Sequence, residues 1–148
     1  MAQTANGIAF TKALVYISPD GSTWTDASGH GASVKEDGGD RAVGEQNTFD
    51  GVLPIVKGGD RKATNITVRF VYTPDTDEPF DVLETAHISD DPEFWVQYQP
   101  ETSDNWFKTN AGVLKTLRYP QGEAGDGKVV MSEFVVACAG LTEAAAST

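Results

Sequence analysis

Thr64-Asn65-Ile66-Thr67-Val68-Arg69-Phe70-Val71-Tyr72 decides the fold class of this chain. Ile66, Val68, Phe70 and Tyr72 alternate with Thr67, Arg69 and Val71. A period of two with β-branched residues on both faces predicts a strand packed on one side and partly wet on the other. Pro74 and the acids around it stop that strand.

Towards the N-terminus, the interval from about 37 to 62 is the least domain-like part. It opens on Gly38-Gly39-Asp40-Arg41 and closes on Gly58-Gly59-Asp60-Arg61, so one four-residue string brackets a middle that contains Phe49, Val52, Leu53, Ile55 and Val56. Paired glycines are costly to order and suit hinges at the base of a projecting loop or hairpin. Apolar residues on such an excursion need cover, either from a neighbouring subunit or from the chain's own core as a folded-back flap. Further upstream, Ala13-Leu14-Val15-Tyr16-Ile17 predicts a strand, Ser18-Pro19-Asp20-Gly21 a turn, Ser22-Thr23-Trp24-Thr25 a short hairpin partner and Gly31–Glu36 another strand.

Towards the C-terminus, Pro79 at a first helical position, Asp77 or Glu78 as cap, and Phe80, Leu83, Ala86 and His87 at three- to four-residue spacing predict a helix of about 10 residues. Asp90-Asp91-Pro92 closes it. Strands are then predicted at Glu93–Tyr98, Asn105–Phe107, Val113–Tyr119 and Lys128–Ala139, with Pro120–Gly127 as a turn-rich connector. Several strands, one helix and more strands read as mainly β: an antiparallel β-sandwich or rolled sheet with one short flanking α-helix and a long projecting loop or hairpin, not a βαβ core. A single domain over 1–148 is expected, with arms at about 1–10 and 140–148.

Twenty-two acids against 11 Lys and Arg give a formal charge of −11. A protein that grips a nucleic-acid backbone gains affinity from cations placed on phosphates, so this balance disfavours tight DNA binding. Asp75, Asp77, Glu78, Asp81, Glu84, Asp90, Asp91, Glu93, Glu101 and Asp104 follow one another with no Lys or Arg between them, which predicts one strongly negative face or rim. The lone Cys138 cannot staple its own chain and lies in an apolar run that reads as buried. No secretory leader is evident and no apolar run is long enough to span a bilayer, so synthesis in a cytoplasm without membrane insertion is expected.

No catalytic apparatus emerges. His30 and His87 are far apart and outside any metal motif, His30 reading as an exposed turn residue and His87 as a helix-end or interface residue. The Asp75–Glu78 and Asp90-Asp91 clusters do not follow a calcium-loop pattern. There is no G-x-S-x-G elbow, and Gly125-Asp126-Gly127-Lys128 lacks the rest of a phosphate loop. Asn65-Ile66-Thr67 matches a glycosylation sequon within a predicted strand. Trp24, Trp95 and Trp106 suit either a sugar-binding platform or the filling of core and interface. No enzyme activity, metal or cofactor is expected.

The chain resembles the major tail tube proteins of long, non-contractile bacteriophage tails. The likeness is carried by Tyr16–Thr25, the segment from Gly39-Asp40-Arg41 to Gly59-Asp60-Arg61, Ile66–Tyr72 leading into the helix at Phe80–His87, and Tyr119–Ala124 before Val129–Val136. It implies a virion tail subunit made in the host bacterium, six copies to a ring and rings stacked into a hollow tube. Genome and tape-measure protein would pass through, and tip and terminator proteins would bind the ends. DNA would meet the lumen only transiently, without tight binding. By the same likeness Gly38–Arg61 is the loop that reaches an adjacent ring, which makes Phe49, Val52, Leu53, Ile55 and Val56 candidate inter-subunit residues. Other expectations open at this point are a tail completion or head–tail joining ring, and a carbohydrate-binding β-sandwich module.

Overall fold

The computed structural model describes residues 13–101, 105–125 and 127–144. The expected arm at about 1–10, Asp104 of the acidic run, and 145–148 of the expected C-terminal arm lie outside these. The elements are β1 (Leu14–Ser18), β2 (Thr25–Asp26), β3 (Gly31–Gly38), β4 (Arg41–Gln46), β5 (Ile55–Arg61), β6 (Thr64–Val71), α1 (Pro79–Ile88), β7 (Glu93–Gln99), β8 (Trp106–Thr109), β9 (Gly112–Gln121), β10 (Met131–Cys138) and β11 (Leu141–Ala144).

All strand pairings are antiparallel. One layer runs β3–β6–β10–β9 and the other β2–β1–β7–β8–β11, joined where the first residues of β7, Glu93 and Phe94, pair with Val113 and Gly112 of β9. The mainly β, antiparallel sandwich with one flanking helix is therefore as expected.

The join has a local cause. β8 and β9 run in one direction along β7, and between them the chain bends from one layer into the other. At the bend the Val96 N–H donates to the buried Thr109 hydroxyl at 3.0 Å, so a side chain takes the place of a ladder carbonyl. Gly112 permits the close approach: a Cβ there would stand 2.7 Å from Val136 Cγ1 and 3.0 Å from the Ala137 carbonyl oxygen. β10 and β11 bend alongside, held by Asn110 N–H to the Gly140 carbonyl at 3.1 Å. Leu141–Ala144, inside the stretch expected as an arm, is thus an edge strand paired with β8.

The core is the inward period-two face of each strand. Ile66, Val68 and Phe70 of β6 meet Phe134 and Val136 of β10, Leu114 and Leu117 of β9, Val15 and Ile17 of β1, and Phe94 and Val96 of β7. Phe134 packs edge-on against both Phe70 and Phe94, with ring centroids 5.9 and 6.1 Å apart. Burial of each such side chain stabilises the fold by about 1.5–3 kcal/mol. Cys138 is buried here, and burial pushes its thiol up from its ordinary value, a neighbouring Gly140 N–H opposing and the Glu36 charge adding to it.

α1 contributes Phe80, Leu83 and Ala86 to the core, and Phe80 stacks edge-on with Tyr72 and Tyr119. It lies along the part of β9 that β7 leaves unpaired and so covers a sheet edge. Glu78 occupies the N-cap position without a side-chain capping bond, because its carboxylate meets His30 Nε2 at 2.8 Å. His30, expected as an exposed turn residue, is therefore partly buried and paired with the helix start. Several boundaries also shift, β2 falling at Thr25-Asp26 where Ser22–Thr25 was expected and β8 at Trp106–Thr109 where Asn105–Phe107 was expected. β9 extends through Pro120-Gln121, where the β9–β10 register slips and Pro120's missing N–H is tolerated, and β10 starts at Met131 rather than Lys128.

Candidate assembly hairpin

β3 and β6 do not end at the sheet. Beyond Gly38 the same antiparallel register continues through Gly39 N–H to the Ala63 carbonyl at 3.0 Å and Lys62 N–H to the Asp40 carbonyl at 2.8 Å into β4 and β5. The excursion is the far half of one long hairpin, kinked at its base. Gly38 and Gly39 make the kink with φ of +80° and +72°, a region that side chains strain to adopt, and a Cβ on Gly38 would fall 2.6 Å from the Ala63 carbonyl oxygen. Gly58-Gly59, expected as the matching hinge, lies instead inside β5 opposite the register slip between Arg41 and Val43. Those glycines make room for the Arg41 stem and Ala42, and the Arg41 guanidinium donates to the Gly59 carbonyl at 2.9 Å.

Every residue from Asp40 to Ala63 is exposed, so the hairpin does not fold back as a flap. At the tip Phe49, Val52 and Leu53 retain 110%, 98% and 80% of their accessible surface. Ile55 and Val56 sit at the start of β5, each about half exposed. They point to opposite faces, since Val56 pairs with Glu45 and Ile55 with Gln46. Val43, which sequence reasoning did not select, is also exposed and shares the Val56 face; its pairing with Gly58 was the missing signal, and only the register reveals it. A two-stranded ribbon with apolar groups on both faces and at its tip has no core of its own, and such a ribbon is marginal in water.

The rest of the surface sorts by charge. The acids from Asp75 to Glu93 line α1 and its two connections. On the outer face of β3–β6–β10–β9, Arg69, Glu133 and Arg118 stand side by side on adjacent strands. In the β1–β2 turn the Asp20 carboxylate accepts from the Thr23 and Ser22 N–H groups and the Ser18 hydroxyl, which hold it well below the usual carboxylate range.

The tryptophans are engaged within the chain. Trp106 packs against Tyr16 at 5.4 Å, Trp95 lies against Gly21, and the Lys108 ammonium sits 5.3 Å over the Trp24 ring. His87 is exposed in the last turn of α1, and Asn65 of the sequon is a residue of β6 between Asp37 and Ala137. Among the described residues no three His, Cys, Asp or Glu side chains are placed to hold a metal ion, and no helix is long and apolar enough to cross a membrane.

No protein-family model matches the sequence, and no curated protein is significantly similar to it. Solved structures are similar over nearly the whole chain. A chain of the sheath–tube complex of an extracellular contractile injection system in its extended state superposes with a TM-score of 0.66 at 16% identity, covering 96% of this chain and 94% of that one. A chain of the sheath/tube terminator of such a system gives 0.67 at 15%, covering 97% and 100%. A chain from the tail of an empty gene transfer agent particle, refined with helical C6 symmetry, gives 0.61 at 12%, covering 99% and 100%. The fold is thus one found in tails and injection tubes of phage-like particles. Contractile systems share it, so the expected likeness to non-contractile tails is too narrow.

Proposed function

We propose that this chain is a structural subunit of a phage-like tail tube, assembling with copies of itself into rings that stack around a channel. The observation that carries this reading is the hairpin: Phe49, Val52 and Leu53 stand in water on a ribbon that its own domain leaves uncovered. Contacts between unlike surfaces that repeat without closing give open filaments, and contacts that close give rings. Among the described strands β3 ends one layer, while β2 and β11 end the other, so each subunit offers sheet edges for lateral pairing within a ring. Six subunits per ring is the number favoured, since similar chains come from particles with six-fold symmetry. The net charge of −11 suits a conduit through which nucleic acid slides without sticking. By family analogy the tube would receive a tape-measure protein and be closed by tip and terminator proteins.

The similarity to a sheath/tube terminator supports a second reading, a single terminal ring. Negative-stain microscopy of the purified chain separates the two. Filaments with a central channel are expected; isolated rings would favour the terminal role, and monomers at high concentration would contradict both.

A further inference from the structure

The large hydrophobic side chains left exposed fall mainly into two groups. One is the hairpin, Val43 to Val56; the other is Tyr119, Val129 and Val130 at the end of the β9–β10 hairpin. They lie at opposite ends of the same sheet. The projecting hairpin leaves β6 at Thr64, whose partner is Cys138, whereas the second group adjoins Met131, whose partner is Val71 at the other end of β6. Eight residues of strand separate them, about 25 Å.

Tyr119, Val129 and Val130 wall a cleft of about 430 Å³. Arg69 and Arg118 stand in it with Glu133 between them, so two guanidiniums face one carboxylate; Lys128 and Glu123, also in the lining, offset each other. The cleft is apolar on one wall and carries a positive surplus on the other, in a chain whose overall charge is −11. The hairpin tip has the complementary character, with Phe49, Val52 and Leu53 around Asp50.

We infer that this cleft is the seat for the hairpin tip of a second copy, the aromatic and aliphatic groups lying against Tyr119, Val129 and Val130 and Asp50 facing Arg118 and Arg69. Projection and seat at opposite ends of one sheet make the contact heterologous and repeatable without closure, the geometry that lengthens a stack. Aromatic anchors in a desolvated pocket supply most of an interface's energy, and the Asp–Arg pairing fixes register. This rests on the tube reading and names the surface that receives the hairpin.

The test is oxidative crosslinking of an F49C/V129C variant in its assembled form, with each single variant as control; both positions are exposed and Cys138 is buried. A ladder of covalently linked chains from the double variant alone is expected. Assembled protein that gives no ladder, or crosslinked dimers from the F49C single variant, overturns the inference while leaving the tube reading standing. A wild-type chain that never assembles overturns the tube reading itself. If the cysteine pair blocks assembly, V129D is compared with I88D, a charge placed on an equally exposed apolar site elsewhere. At least a tenfold loss of assembled protein for V129D only is expected, and equal behaviour of the two overturns the inference.

Discussion

Replacement of Val43–Val56 by a short Gly-Ser linker is expected to leave a folded, soluble chain that no longer assembles. The folded state survives because the segment contributes nothing to the core: β4 and β5 pair only with each other, and every residue removed is exposed. The kink at Gly38-Gly39 and the bonds from Gly39 to Ala63 and from Lys62 to Asp40 remain as the base of a shorter hairpin. Assembly loses the burial of Phe49, Val52 and Leu53, about 1.5–3 kcal/mol apiece, which together weaken association by about a thousandfold or more. Circular dichroism and thermal melting check the fold, and sedimentation velocity checks the assembly. Unchanged assembly would remove the hairpin from the interface; a large fall in melting temperature would make it part of the domain.

Phe134→Ala should have the largest effect on stability. Phe134 is 1% exposed and its ring bridges Phe70 of β6 and Phe94 of β7, so it ties the two layers together at the centre. Truncation removes apolar burial and leaves a cavity that neighbouring strands cannot fill without moving, at a cost of about 3–5 kcal/mol. For a domain of this size that lowers the melting temperature by roughly 10 °C or more. Chemical denaturation should show the lower midpoint with an unchanged slope, since the surface exposed on unfolding is the same. A loss below about 1 kcal/mol would place Phe134 outside the core.

The two variants separate the apolar residues that fill the core from those left exposed on the hairpin, and the sequence shows one set more clearly than the other. Alternation in Ile66–Tyr72 and Phe94–Tyr98 marks inward faces because period two follows from strand geometry alone. The helix was equally legible, since Pro79, the acids before it and the spacing of Phe80, Leu83 and Ala86 are local signals. What depended on contacts distant in sequence was hidden. Nothing near Gly112 announces a bend between layers, because the cause is Val136, a residue on another strand. His30 reads as a turn residue until the helix start brings Glu78 to it. The two Gly-Gly-Asp-Arg strings look alike, yet only the first kinks the chain, and the second accommodates the Arg41 and Ala42 side chains across the ribbon. The cleft was not legible at all: Arg69 lies far in sequence from Tyr119 and Val129 and meets them only because β10 pairs with both β6 and β9.

Hydrogen–deuterium exchange of the wild-type chain, followed on peptides that span residues 47–56 in dispersed and assembled protein, tests most directly whether a sister molecule covers the hairpin. The amides of residues 47–54 within those peptides lie outside β4 and β5 and have no partner strand within the domain, so they are expected to exchange rapidly when dispersed and at least tenfold more slowly when assembled. Equal, rapid exchange in both states would show the tip still in water, and the account of how these subunits join would be contradicted.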